Sequence, residues 1–122
     1  MNTYIAIFIG GGLGSLARYG VGKYVSKIIF GEIPFGTLFA NVLSAFILGI
    51  FLGISSSKSY ETSEAKYLIA IGFCGGFSTF SAFSAESFEL LKNGMFFQCG
   101  INIAANVILC ITMIALGSWI VK

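Results

Sequence analysis

The run Gly72-Phe73-Cys74-Gly75-Gly76-Phe77-Ser78-Thr79-Phe80-Ser81-Ala82-Phe83-Ser84 is where residue types and spacing first suggest chemistry. Gly75-Gly76 is costly inside a helix, and a helix break within lipid must be buried in protein or line a cavity. Carbonyls freed at such a break can coordinate a cation, while the N-terminus of the resumed helix attracts an anion. A glycine pair also serves plain close packing, so the pair alone leaves both readings open. Phe77, Phe80 and Phe83 recur every three residues, and Ser81, Ser84 and Ser87 repeat at the same spacing beside them. Such an aromatic stripe usually meets lipid or packs. It can also turn its electropositive ring edges toward an anion stripped of water, with the hydroxyls as rotatable donors. Glu86 lies deeper in this segment than Glu89, and an intramembrane carboxylate reads as functional.

Further polar residues stand inside apolar surroundings. Asn41 is flanked by Thr37 and Ser44, each about one helical turn away. Asn102, Asn106 and Cys110 are spaced by four and share a helix face. Asparagines one turn apart are costly to leave in lipid, so that face should meet protein or water. Asn41, the Ser/Thr stripe and Asn106 together make an uncharged, donor-rich lining, which suits an anion better than a cation. Gly10-x-x-x-Gly14 marks a helix contact. Arg18, the only arginine, reads as an interface anchor, as a lure for anions in a vestibule, or as the cap of a helix C-terminus.

What is missing matters as much. There is no histidine and no aspartate, which removes most metal sites and acid–base constellations, and Ser78 or Ser81 would lack a base to activate it. An enzyme is therefore not expected. Cys74, Cys99 and Cys110 form no CxxC pattern or disulfide framework and read as buried small hydrophobes. The 122 residues are 57% apolar and 10% charged, with mean hydropathy +0.93. Soluble domains run near about 25% charged, so the composition indicates a small integral membrane protein forming one unit over 1–122. A net charge of +2, scattered along the chain, excludes a nucleic-acid binder.

Charges and turn residues cut the chain into four apolar segments that must position these groups: Tyr4 to Phe30, Phe35 to Ile54, Ala65 to Leu91 and Phe96 to Val121. Each reaches the ~20 residues of a membrane span, the first only by including Arg18, Lys23 and Lys27, which snorkel toward the interface. Pro34 closes the first connection and Lys92-Asn93-Gly94 the last, while 55–64 forms the longest polar loop. Tyr4, Tyr60, Tyr67 and Trp119 fall near segment ends, as an aromatic belt requires. Ser15-Leu16-Ala17 resembles a signal-peptide cleavage site, but no cation precedes it and cleavage is not expected. Four spans place both termini on one side. Lys58, Lys66 and Lys122 then face Lys23, Lys27 and Lys92 across the membrane, too even a division to fix orientation. That balance reads either as orientation by other determinants or as insertion both ways round, which permits an antiparallel dimer. One four-helix chain is also too thin to enclose a polar path, so oligomerisation is expected on either reading.

Three stretches, Gly11-Gly12-Leu13-Gly14-Ser15-Leu16-Ala17-Arg18-Tyr19, Gly36-Thr37-Leu38-Phe39-Ala40-Asn41 and the Gly72 to Ser84 run, together resemble the Fluc family of dual-topology fluoride channels, and the likeness covers essentially the whole chain. The resemblance implies an all-α membrane protein of four transmembrane helices, the third broken near Gly75-Gly76, assembled as an antiparallel homodimer with two fluoride pores. It implies a structural sodium ion (Na+) at the dimer centre, held by the carbonyls of Gly75 and Ser78 from both subunits. Phe80 and Phe83 would contact fluoride, Asn41 would be the pore asparagine, and Arg18 the vestibule arginine. Thr37, Ser81 and Ser84 would form the polar track, with Glu86 as the family's acidic residue of the third helix. The chain departs from the family pattern at Ser78 and Ala82, where threonine is usual, and at Ser44, often glycine. It departs again at Asn102, Asn106 and Cys110, where tyrosine and then serines are common; Asn106 is counted here with the pore residues.

The function expected on this basis is a passive, highly selective fluoride channel of the plasma membrane. A weak acid enters neutral, dissociates inside, and its anion leaves down its gradient. Conduction requires several weak sites rather than one tight one, which agrees with the absence of a cation in the middle of the later segments. The alternatives are a subunit of a heterodimeric fluoride channel, a small dual-topology multidrug exporter, and a non-transporting assembly protein. The exporter would want a carboxylate deep in an early helix, and none lies between Met1 and Gly31. The dense polar stripes argue against the assembly protein.

Overall fold

The computed structural model describes residues 2–55 and 64–121, and these contain helices and no strand. The helices are α1 (Thr3–Ile28), α2 (Phe35–Ser55), α3 (Lys66–Cys74), α4 (Gly75–Phe77), α5 (Phe80–Lys92) and α6 (Phe96–Ile120). α3 to α5 run nearly end to end as one span, Lys66–Lys92, so four spans are long and apolar enough to cross a membrane. The expected segment boundaries hold within two residues. Most of the expected polar loop at 55–64, including Lys58 and Tyr60, lies outside the described residues, as does Lys122.

Local sequence explains the ends. Asn2 caps α1 by accepting the Tyr4 N–H at 2.7 Å, and Lys27 sits in its last turn, favourable to the dipole. Gly94, at φ 77°, closes α5: its N–H donates to the Leu91 carbonyl at 3.0 Å and the Met95 N–H to that of Leu90 at 2.8 Å. This is a Schellman motif, which needs the left-handed residue that glycine supplies without strain. α3 is wound as a π-helix, a rare geometry that concentrates at functional sites.

The spans pack in two pairs, α1 against α3 and α4, and α2 against α6. Both pairs meet backbone to backbone. A Cβ on Gly10 would strike the Leu68 carbonyl oxygen, and one on Gly14 the Phe73 carbonyl oxygen. The Gly10-x-x-x-Gly14 patch is thus a helix contact, as its spacing predicts. On the other pair, Gly49 and Gly117 leave no room for a Cβ against the facing backbone at Ile114 and Phe46. Large apolar side chains such as Phe8, Leu16, Phe97, Ile108 and Trp119 point outward, the arrangement a lipid solvent demands. The buried positions include many small or polar residues, among them Ala6, Ala40, Ser44, Asn102 and Asn106, beside a few large apolar ones such as Leu38, Phe77 and Phe83.

Candidate functional site: a polar cleft at the helix break

The third span opens at Ser78 and Thr79, directly after the Gly75-Gly76 pair. Both residues are extended, with φ/ψ of −84°/158° and −150°/123°. Gly75 and Gly76 themselves stay helical, and the glycine at 76 serves close packing, since a Cβ there would strike the Gly11 carbonyl oxygen. The break orphans backbone groups, and specific side chains take them up. The Cys74 carbonyl accepts the Ser44 hydroxyl at 2.9 Å, the Ser78 hydroxyl at 2.8 Å and the Ser78 N–H at 3.0 Å. The Gly76 carbonyl accepts the Arg18 Nε–H at 3.1 Å. Thr79 caps α5, its Oγ1 accepting the Ala82 N–H at 3.1 Å.

Asn41 holds the break from α2. Its Oδ1 accepts the Thr79 N–H at 2.8 Å, and its Nδ2 lies 3.4 Å from the Thr79 carbonyl and donates to Asn106 Oδ1 at 2.9 Å. Two carbonyls are bypassed by this scheme. The Thr79 N–H, which would continue the helix by reaching Gly75, goes to Asn41, and the Ala82 N–H, the helical partner of Ser78, goes to Thr79 Oγ1. No side chain among the described residues donates to the Gly75 or Ser78 carbonyl, whereas those of Cys74, Gly76 and Thr79 all have a side-chain donor nearby.

Around the break lies a cavity of about 380 Å³, lined by Asn41 and Ser44 of α2, Cys74 to Thr79 at intervals, Phe80 and Phe83 of α5, and Asn106 and Cys110 of α6. No charged side chain lines it. The Phe80 and Phe83 rings stand 5.5 Å apart at 51°. Phe83 is buried and Phe80 is 78% exposed, so Phe80 is the ring free to face an ion or another chain. The amides of Asn41 and Asn106 and the hydroxyls of Ser44 and Ser78 are spent on the bonds above, so the uncharged cavity presents mainly apolar surface and the tilted ring edges, which can face a small anion without a countercharge.

Of the residues expected to form the site, the cavity brings together Asn41, Gly75, Ser78, Phe80, Phe83 and Asn106, with Ser44, Cys74 and Cys110 beside them. The others lie apart from it. Thr37 and Glu86 share a second cavity of about 270 Å³ beside the Pro34 turn. Glu86 Oε1 is buried there with no partner. Ser81 is exposed, its hydroxyl 3.2 Å from Thr79 Oγ1, and Ser84 is also exposed. Arg18 caps the end of α4, one of the three roles its position allows.

Two contributors escape a reading by spacing alone. Ser44 reads as a packing change, yet it donates to the Cys74 carbonyl; its polar signal inside an apolar run was present but ambiguous. Thr79 caps α5 and also gives its N–H to Asn41, and a threonine just before a helix is only a general capping signal, without the glutamate three residues on that would sharpen it.

Residues 5–118 match the family described as CrcB-like protein, Camphor Resistance (CrcB). A fluoride-specific ion channel FluC of Pyrococcus abyssi is 42% identical over 119 residues, covering 96% of this chain and 94% of its own. The Campylobacter lari protein of that name is 38% identical over 122 residues, covering 100% and 99%. A third, from Methylobacterium radiotolerans, is 38% identical over 118 residues, covering 95% and 82%. All three are named as channels rather than enzymes, in keeping with the expectation from the sequence. Four apolar spans around a neutral cleft, in a sequence that matches these channels almost end to end, mean that the chain is a multi-pass membrane protein belonging to the CrcB-like family.

Proposed function

We propose that the chain conducts fluoride passively and selectively through the cleft at the helix break. The observation that carries this reading is the uncharged cavity in which Asn41, Asn106, Phe80 and Phe83 converge; the names of the relatives supply fluoride as the ion. A small anion leaving water loses strong hydration, and a buried unpaired charge is prohibitively costly. Neutral donors and ring edges at short range offset that loss without the tight binding that a full positive charge would impose, so the ion can leave again. Asn41 donates to Asn106 Oδ1 at 2.9 Å and, at 3.4 Å, to the Thr79 carbonyl, and the longer of these bonds is the one an anion could displace. Phe80 and Phe83 offer ring edges. Arg18 supplies positive potential near the mouth while holding the Gly76 carbonyl. Thr37, Ser81, Ser84 and Glu86 continue the polar route outside the central cavity.

The assembly we infer is an antiparallel homodimer with two pores, exporting fluoride from the cytoplasm. Support comes from the balanced lysines and from the exposure of Phe80 on the isolated chain. The Gly75 and Ser78 carbonyls, left without side-chain donors, fit the role of ligands for a sodium ion shared between two copies. Such an ion would hold the two breaks together and neutralise their oxygen dipoles. An intact-cell assay tests the function. Cells stripped of their own fluoride export should grow in mildly acidic fluoride medium when they express this chain and not when they express its Phe80→Ile variant. Equal growth with the variant would remove Phe80 from the route, and no rescue by the wild type would contradict the reading.

A further inference from the structure

Asn102 is fully buried on α6, one turn before Asn106, and belongs to no cavity wall described above. Its polar atoms are nonetheless engaged. Asn106 Nδ2 donates to both the Asn102 carbonyl at 2.8 Å and Asn102 Oδ1 at 3.1 Å, and Asn102 Nδ2 donates to the Ser87 hydroxyl at 3.0 Å. With the Asn106–Asn41 and Asn41–Thr79 bonds, these form one chain of side chains from the helix break to Ser87. The shorter bonds in it all donate in one direction, from Thr79 toward Ser87, and only the 3.4 Å bond from Asn41 Nδ2 to the Thr79 carbonyl runs back.

That polarity matters because an amide can be turned end for end. Asn102 offers Asn106 two acceptors, which only an NH2 group can satisfy. The Asn106 oxygen is thereby forced to face Asn41, and Asn41 must answer with its own NH2. At the far end the Thr79 N–H requires the Asn41 oxygen, so both ends of the chain demand one orientation. Aligned hydrogen bonds of this kind reinforce one another.

We propose that Asn102 is a positioning residue: by fixing the orientation of Asn106 it fixes the Asn41 amide, oxygen on the Thr79 N–H and nitrogen on Asn106 and the Thr79 carbonyl, and so holds the helix break in the geometry that conducts the anion. The assignment rests on the channel reading above. It also accounts for a costly asparagine buried where no ion reaches.

The test is fluoride efflux from liposomes, normalised to folded protein by gel filtration. Asn102→Leu conserves volume and removes both the acceptor and the donor. Its efflux should fall about fivefold, the factor expected for one lost hydrogen bond, and its preference for fluoride over chloride should shrink. Asn106→Ala should lower efflux at least as much, and the Asn102→Leu/Asn106→Ala pair should be no slower than Asn106→Ala alone, because Asn102 acts through Asn106. Ser87→Ala, a milder change at the end of the chain, should cost less than Asn102→Leu. Wild-type efflux and selectivity in Asn102→Leu, or multiplicative losses in the pair, would show that Asn102 only packs and would overturn the assignment alone. Should Asn102→Leu fail to fold, Ser87→Ala decides the matter, since unchanged selectivity there overturns it. A wild type that releases no fluoride overturns the channel reading and the assignment together.

Discussion

At the scale of single residues, the molecule depends on side chains that repair a deliberately broken backbone. Asn41 satisfies the Thr79 N–H and Asn106 at once. Asn41→Ala should therefore lower stability by about 1–3 kcal/mol through stranded buried partners, read by thermal unfolding in detergent, as well as slowing efflux. Asn41→Asp keeps the acceptor for Thr79 but removes the donors, so it should abolish most fluoride flux while changing helix content little by circular dichroism. Arg18 bonds the Gly76 carbonyl at the end of α4. Arg18→Met should cost about 1–3 kcal/mol, the range for a bond to a charged donor, and a melting temperature unchanged by that variant would count against the capping role. The types and spacing of Asn41, Phe80, Phe83 and Asn106 were readable from the sequence. Their partners were not, because which orphaned carbonyl Ser44 or Arg18 reaches depends on where helices from distant parts of the chain cross.

At the scale of elements, glycine decides which helices approach. Gly14 lies against the α3 backbone, whereas Gly100 on α6 has open space around it. Gly14→Ala should destabilise by about 1–3 kcal/mol through overpacking, while Gly100→Ala should be neutral or slightly stabilising from helix propensity; unfolding temperatures of the two variants check the contrast. The four spans were legible because apolar length and turn residues specify them locally. The Gly10-x-x-x-Gly14 contact was legible for the same reason. The site of the break was legible only to within a few residues: the glycine pair announces it, yet Gly76 serves close packing against Gly11 and the backbone opens at Ser78 and Thr79, where Asn41 captures the Thr79 N–H. The π-wound α3 and the Gly49/Gly117 contact with α6 left no separate mark, since both arise from how paired helices fit.

At the scale of the whole molecule, the apolar outer surface and the polar residues buried between the helices describe a protein whose solvent is lipid. The proposed antiparallel assembly requires insertion both ways round, which the even lysine distribution permits. A cysteine placed at the exposed Asn93 turn should react with a membrane-impermeant thiol reagent from both faces of the membrane, about half the copies from each, and one-sided labelling would contradict antiparallel assembly. Assembly was the part least legible in one chain, because a partner's surface is not written in the periodicity of its own helices. The central claim is that this lining passes fluoride and rejects larger anions. Purified protein in liposomes loaded with both halides, followed with ion-selective electrodes, should release fluoride and retain chloride. Comparable release of both, or of neither, would contradict it.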